Sequence, residues 1–125
     1  MKKYNNPNDL HYLSILLVSP AIKIGDIQHN QELIIQEIIK HPNVNLFVFP
    51  ELSLTGATLG DFFLKNELLS EINRAIQNII DVSHKQNTTI ILGTPLLIQD
   101  KLTNAALFIS KGKLLGIVPK NIENR

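Results

Sequence analysis

Cysteine is absent from all 125 residues of the sequence. That excludes a disulfide framework, a thiolate metal site and a thiol nucleophile supplied by this chain, and it leaves the redox compartment open. Tryptophan is missing too, methionine occurs once and aromatic residues make up 6%, while 44% hydrophobic content with 18% charge is the balance of an ordinary globular domain with one core. Neither sign of charge dominates: twelve Lys and Arg against eleven Asp and Glu give a formal +1, spread along the chain. Binding a phosphate backbone requires a concentrated basic stripe, so nucleic acid is not an expected partner. Long hydrophobic runs are lacking as well. The longest, around residues 13–18 and 90–92, fall far short of the roughly 20 residues needed to cross a bilayer, so no membrane association is expected. After Met1-Lys2-Lys3 comes Asn5-Asn6-Pro7-Asn8-Asp9, where a signal peptide would place its apolar segment. A cytoplasmic location is the expectation.

What is present reads as one α/β domain. Residues 1–12 are polar, asparagine-rich and interrupted by Pro7, which predicts a mobile lead-in, with the domain proper over 13–125. Leu13-Ser14-Ile15-Leu16-Leu17-Val18 is a nearly continuous apolar run, the pattern of a central strand buried on both faces. Asp26 is a candidate N-cap for an amphipathic helix carrying Ile27, Leu33, Ile34, Ile35, Ile38 and Ile39, and Pro42 sets its end near Lys40-His41. Asn45-Leu46-Phe47-Val48-Phe49-Pro50 predicts a second strand, parallel to the first across the helical crossover. A loop over 51–61 leads to a helical stretch over 62–85, with a break expected near Leu69-Ser70. A third strand over 88–95 and a hairpin of strands over 102–110 and 113–118, turning at Lys111-Gly112, complete a β-α-β-α-β-β-β pattern.

Two residues stand where open parallel sheets present functional groups. Glu51 follows the second strand directly after Pro50, and Lys120 follows the last strand directly after Pro119. Taken singly, a solvated loop carboxylate and a surface lysine are the plainer readings. Converging in space, the two would keep each other ionised and set a base beside an electrophilic stabiliser. His11, His29, His41 and His84 fall in the lead-in, on polar helix positions or near helix ends, none at metal-ligand spacing, so solvated histidines are expected. Gly56 and Gly60 lack the lysine and hydroxyl residue of a phosphate-binding P-loop.

Phe49-Pro50-Glu51-Leu52-Ser53-Leu54-Thr55-Gly56 resembles the glutamate motif of the nitrilase superfamily, and Gly116-Ile117-Val118-Pro119-Lys120 resembles its lysine motif, 69 positions apart. Within the superfamily, Glu51 to Gly56 with Asp61 behind, Thr103-Asn104-Ala105-Ala106 and Lys111-Gly112-Lys113-Leu114-Leu115-Gly116 are similar to the glutaminase domain of glutamine-dependent NAD synthetases. The likeness covers about residues 13–120 and the first part only of that domain. It implies a four-layer α-β-β-α sandwich, of which this chain is the first half, and cleavage of a carboxamide C–N bond by a cysteine, glutamate and lysine set. Glu51 would be the general base and Lys120 the oxyanion stabiliser, with glutamine as the substrate of the complete domain. ATP and a magnesium ion would belong to a separate synthetase domain, so no cofactor is expected here.

The sequence also departs from the pattern. The family's cysteine lies well downstream of its lysine, whereas this sequence ends at Arg125, so the chain alone is expected to be inactive. Ala57 stands where an aromatic commonly follows the glutamate motif, and Asn121-Ile122-Glu123-Asn124-Arg125 replaces a leucine-containing aromatic or basic segment. Half a sandwich leaves a sheet face uncovered, which implies self-association or a partner in the missing half. The remaining readings are a catalytically silent nitrilase-like binding or assembly module, and a fragment of an amidase from another nitrilase branch.

Overall fold

The structure, a computed structural model, describes residues 13–56 and 66–119. Its elements run β1 (Ile15–Leu17), α1 (Ile27–Lys40), β2 (Leu46–Val48), α2 (Asn66–Lys85), β3 (Thr89–Ile98), β4 (Lys101–Ser110) and β5 (Lys113–Pro119), the order expected from the sequence. The strands form one sheet in the spatial order β1-β2-β3-β4-β5. β1, β2 and β3 are mutually parallel, joined through the two helices, while β3, β4 and β5 are antiparallel. The lead-in over residues 1–12 lies outside the described residues.

Local chemistry explains the helix bounds. Asp26 caps α1 by accepting a hydrogen bond from the His29 amide at 3.0 Å, and the chain leaves the helix at His41, before Pro42. Glu67 in the first turn of α2 and Lys85 in its last turn match the sign of the helix dipole at each end. The break expected near Leu69-Ser70 does not occur. Leu68, Leu69 and Ile72 all pack on the core at helical spacing, so the apolar stripe continues through that point without interruption.

Register shows how the core is built. Leu16, Phe47, Ile90 and Ile109 lie in one row across β1 to β4, and Leu92 faces Leu107 in the next row on the same side. That face carries the fully buried Phe47, Ile90, Leu92, Leu107 and Ile109, packed with Ile34 and Ile38 of α1 and Ile72 and Ile79 of α2. A hydrogen bond of 2.6 Å from Asn78 Nδ2 to Gln31 Oε1 ties the two helices together.

The alternate residues face the other way, and among the described residues no helix covers them. Ile15 is 52% exposed, Leu17 74% and Val118 53%, and Leu46, Val48, Ile91 and Phe108 on the same side are only half-buried. The reading of the first strand as buried on both faces is therefore corrected: β1 pairs with β2 alone among the described strands, at the edge of the sheet, and has one naked face. A continuous apolar run signals a strand made to be covered twice, but here only one cover is present. This is a partial α-β-β-α arrangement, one helix layer on one sheet.

β3 is also longer than its sequence suggested, passing through Pro95 to Ile98 before a tight turn at Gln99-Asp100, whose φ values of 51° and 65° match a type I′ hairpin. Pro95 is tolerated because β2 pairs with β3 only as far as Ile91, leaving one edge of β3 without a ladder to supply. The second hairpin turns at Lys111 (φ 50°) and Gly112 (φ 91°), as expected.

Candidate active site

The carboxyl ends of β2, β3 and β5 lie at one end of the sheet, because β5 runs antiparallel to β4 and hence in the same direction as β3. Glu51 sits there, exposed, after Phe49 and Pro50. Phe49 donates its amide to Ile91 O at 3.0 Å, which carries the β2–β3 ladder one residue past the strand and fixes where the chain turns away. Phe49 itself is buried and stacks on Phe47 with ring centroids 6.3 Å apart.

From Pro50 to Gly56 the chain forms a compact turn in which Ser53, Leu54 and Thr55 are buried. Ser53 Oγ donates to Pro50 O, and the Gly56 amide donates to Leu52 O at 2.7 Å. Leu52 and Gly56 both take positive φ, 63° and 79°; a Cβ at Gly56 would meet Ile24 Cα at 2.9 Å, so glycine is needed there for conformation and for space. The Gly25 amide donates to Thr55 O at 2.8 Å. Asn30, wholly buried in α1, donates from Nδ2 to Leu54 O at 2.9 Å and to Lys23 O at 2.7 Å, while its Oδ1 accepts the Lys23 amide at 2.7 Å. One side chain thus fastens the helix, the 20–25 segment and the Glu51 turn to each other. Beneath the turn lies Gly93 of β3, where a Cβ would come within 3.0 Å of Glu51 Cα.

A shallow cleft of about 220 Å³ opens beside the turn, lined by Leu17, Val18, Ser19, Val48, Phe49 and Pro50 at the ends of β1 and β2. Its walls are mostly apolar, the kind of concave surface on which small ligands orient, and Glu51 follows its lining residue Pro50 in the chain.

Lys120 lies outside the described residues, as do Ala57, Asp61 and His11. The residue before Lys120 is placed: Pro119 pairs with Ala105, which pairs with Thr94, the neighbour of Gly93. Two strand spacings put Pro119 about 10 Å from Thr94 in the backbone. Pro119 of the lysine motif and the turn of the glutamate motif therefore lie toward the same end of the sheet. His29 and His41 sit at the two ends of α1, His41 Nε2 at 3.6 Å from Glu37 Oε1, and His84 lies in the last turn of α2. Among the described residues no three His, Asp or Glu side chains come together as a group able to hold a metal.

Asn30, Gly25 and Gly93 are site-building residues that the sequence reading passed over. Asn30 had a legible signal, since it and Gln31 are polar residues inside the stripe made by Ile27, Ile34 and Ile38. Gly93 had a weaker one, a glycine inside a strand, which marks a close backbone approach.

An open mixed sheet with helices on one face and a carboxylate directly after a parallel strand is an α/β arrangement, in which sites commonly form at the carboxyl ends of the strands. The chain belongs to the carbon-nitrogen hydrolase family, whose model matches residues 20–123. It is 31% identical over 110 residues to a glutamine-dependent NAD(+) synthetase of Aquifex aeolicus, covering 87% of this chain and 19% of that protein. A Mycobacterium bovis glutamine-dependent NAD(+) synthetase is 34% identical over 76 residues, 61% of this chain and 11% of that one. In structure, the glutamine-dependent NAD+ synthetase of Acinetobacter baumannii aligns with a TM-score of 0.74 and 25% identity over 85% of this chain and 20% of its own. An amidase from Nesterenkonia sp. shares the fold at a TM-score of 0.73 and 15% identity, with 90% of this chain and 44% of that chain covered. The chain thus spans about a fifth or less of the length of the NAD synthetases it resembles.

Proposed function

We propose that this chain is the amino-terminal part of a glutamine amidohydrolase that supplies ammonia for ATP-dependent NAD synthesis. The observation that carries the reading is Glu51, presented at the carboxyl end of β2 by a turn that Asn30 and Gly25 fasten to the body of the domain. Glu51 takes the proton of a cysteine thiol as sulfur attacks the carboxamide carbon of glutamine. Lys120 stabilises the negative charge on the former amide oxygen. The C–N bond then breaks, Glu51 returns the proton to the departing nitrogen, and ammonia leaves behind a glutamyl thioester. Glu51 next removes a proton from water, which attacks the thioester and releases glutamate and the thiol.

The cysteine must come from polypeptide other than this chain, which has none. ATP and magnesium belong to the synthetase step and need no residue described here. The same reading covers the naked sheet face, which the rest of the domain occupies in the complete protein and through which isolated chains associate.

The test is ammonia release from glutamine. The isolated chain yields none, and the complete domain carrying this sequence together with its cysteine yields ammonia that Glu51→Gln and Lys120→Ala each reduce by at least a hundredfold. Full activity in the complete Glu51→Gln domain refutes the assignment, and glutamine hydrolysis by the isolated chain that vanishes in Glu51→Gln refutes the need for a cysteine.

A further inference from the structure

Among the glycines in this region, Gly93 stands apart. Gly25, Gly56 and Gly112 have positive φ, so the backbone itself calls for glycine there, whereas Gly93 does not and lies in regular strand pairing opposite Ala106. A strand interior gains from a side chain at such a position, in packing and in lost unfolded-state entropy. The side chain is missing because of what lies over it: a Cβ at 93 would be 3.0 Å from Glu51 Cα, 3.2 Å from Leu52 N and 3.5 Å from Glu51 C. All three neighbours are backbone atoms, which cannot swing aside as a side-chain tip does.

The direction of that contact matters. Gly93 shares its side of β3 with Ile91, the side turned away from the helices, so the Glu51 backbone rests on the open face of the sheet at its carboxyl end. The turn is held from the helix side by Asn30 and Gly25, through Leu54 O and Thr55 O. It therefore has no slack: the hydrogen bonds draw it inward and the bare Cα of Gly93 is the surface on which it stops.

We propose that Gly93 is a positioning residue for amide hydrolysis, setting the height of Glu51 above the sheet and hence the reach of its carboxylate toward the thiol. The inference rests on the reading of Glu51 as the base. A methyl at 93 moves the Glu51 backbone by a few tenths of an ångström. Displacement of about 1 Å costs a reacting group on the order of a hundredfold, so the smaller movement lowers turnover by about tenfold. The base works on the thiol and does not hold the substrate, so KM stays within about twofold.

Two measurements test it. In the 125-residue chain, Gly93→Ala shifts the amide resonances of Glu51 and Leu52 and leaves those of α2 in place. Gly116→Ala, in β5 with open space around it, is the strand-glycine control and leaves Glu51 and Leu52 unmoved. In the complete cysteine-bearing domain, Gly93→Ala lowers kcat about tenfold at constant KM. If Gly93→Ala prevents folding, adding Leu52→Gly, which relaxes the positive φ of 63° and lets the turn rise, restores the fold with Glu51 still displaced. Unmoved Glu51 and Leu52 resonances with unchanged kcat overturn the inference while Glu51→Gln still abolishes activity. A pair that remains unfolded overturns it as well, because the turn is then not where the methyl collides. Full activity in Glu51→Gln instead removes the base assignment, and this inference with it.

Discussion

Replacing Asn30 by alanine tests whether the Glu51 turn is held by a single buried amide. The side chain is wholly buried and makes three hydrogen bonds, with the Lys23 amide, Lys23 O and Leu54 O. Only the Leu54 carbonyl is fully buried, and losing its donor costs about 1–3 kcal/mol; the two partly buried partners recover some solvation and cost roughly 0.5–1.5 kcal/mol between them. The removed volume adds a small cavity term, so the expected loss is about 3 kcal/mol. With an unfolding entropy of about 2.1 cal/mol/K per residue, a chain of this length loses roughly 11 °C in melting temperature. Urea titration followed by circular dichroism measures the change directly. Asn30→Asp sharpens the test, because the new oxygen faces Lys23 O and Leu54 O where an amide N–H stood. Burial and two facing carbonyls favour the protonated acid, so its folded pKa lies above the unfolded ~3.9. Protons then bind the folded state more tightly, so the variant is most stable below the unfolded pKa and loses stability as pH rises through the folded one. An Asn30→Ala variant within 0.5 kcal/mol of the parent, or an Asn30→Asp variant that gains stability from pH 3 to pH 7, refutes the clamp.

Three further outcomes follow from the same packing. Gly112→Ala places a methyl 2.9 Å from His84 Cβ at a φ of 91°, and is expected to cost about 2 kcal/mol in a denaturant melt, from the backbone conformation alone and before any displacement of α2. Leu17→Lys with Val118→Lys puts two charges on the naked face, where those residues are 74% and 53% exposed; sedimentation velocity shows self-association of the parent chain and its loss in the pair. Thr88→Val removes a buried hydroxyl that donates to Val44 O at 2.9 Å, and thermal melting registers a loss of about 1–2 kcal/mol, since the carbonyl is left without that donor.

The sequence made the order of elements legible because each signal was local: Asp26 as a cap, Pro42 as a stop, Lys111-Gly112 as a turn, and apolar runs closed by Pro50 and Pro119. It did not reveal the strand reaching through Pro95, since whether a proline interrupts a sheet depends on which neighbouring strand has already ended. Nor did it reveal the edge position of β1, because an apolar run records the burial a strand is suited to and not what covers it. For the candidate site, Glu51 stood out by its place after a buried strand, but the contacts that hold its turn did not. Gly93 lies 42 positions beyond Glu51, and only the parallel pairing of β2 with β3 brings them together. Asn30 could be singled out as polar in an apolar stripe, yet its partners at Lys23 and Leu54 come from chain that curls back from both sides.

These supports bear on how a catalytic site can be divided within one domain. Among the described residues, the hydrogen bonds and close approaches that seat the Glu51 turn include ones from the 20–25 segment, α1, the turn itself and β3. If Glu51 is the base, as proposed, this part of the domain holds it in position without help from the polypeptide that carries the thiol. Orientation of a base contributes to rate only if it exists ahead of the reaction, and on the proposed reading these contacts supply it. On the proposed reading, the rest of the domain adds the nucleophile and a cover for the face bearing Ile15, Leu17 and Val118. On that reading, burial of this face favours docking of the rest of the domain, and the force that completes the fold also brings sulfur to a base already in place.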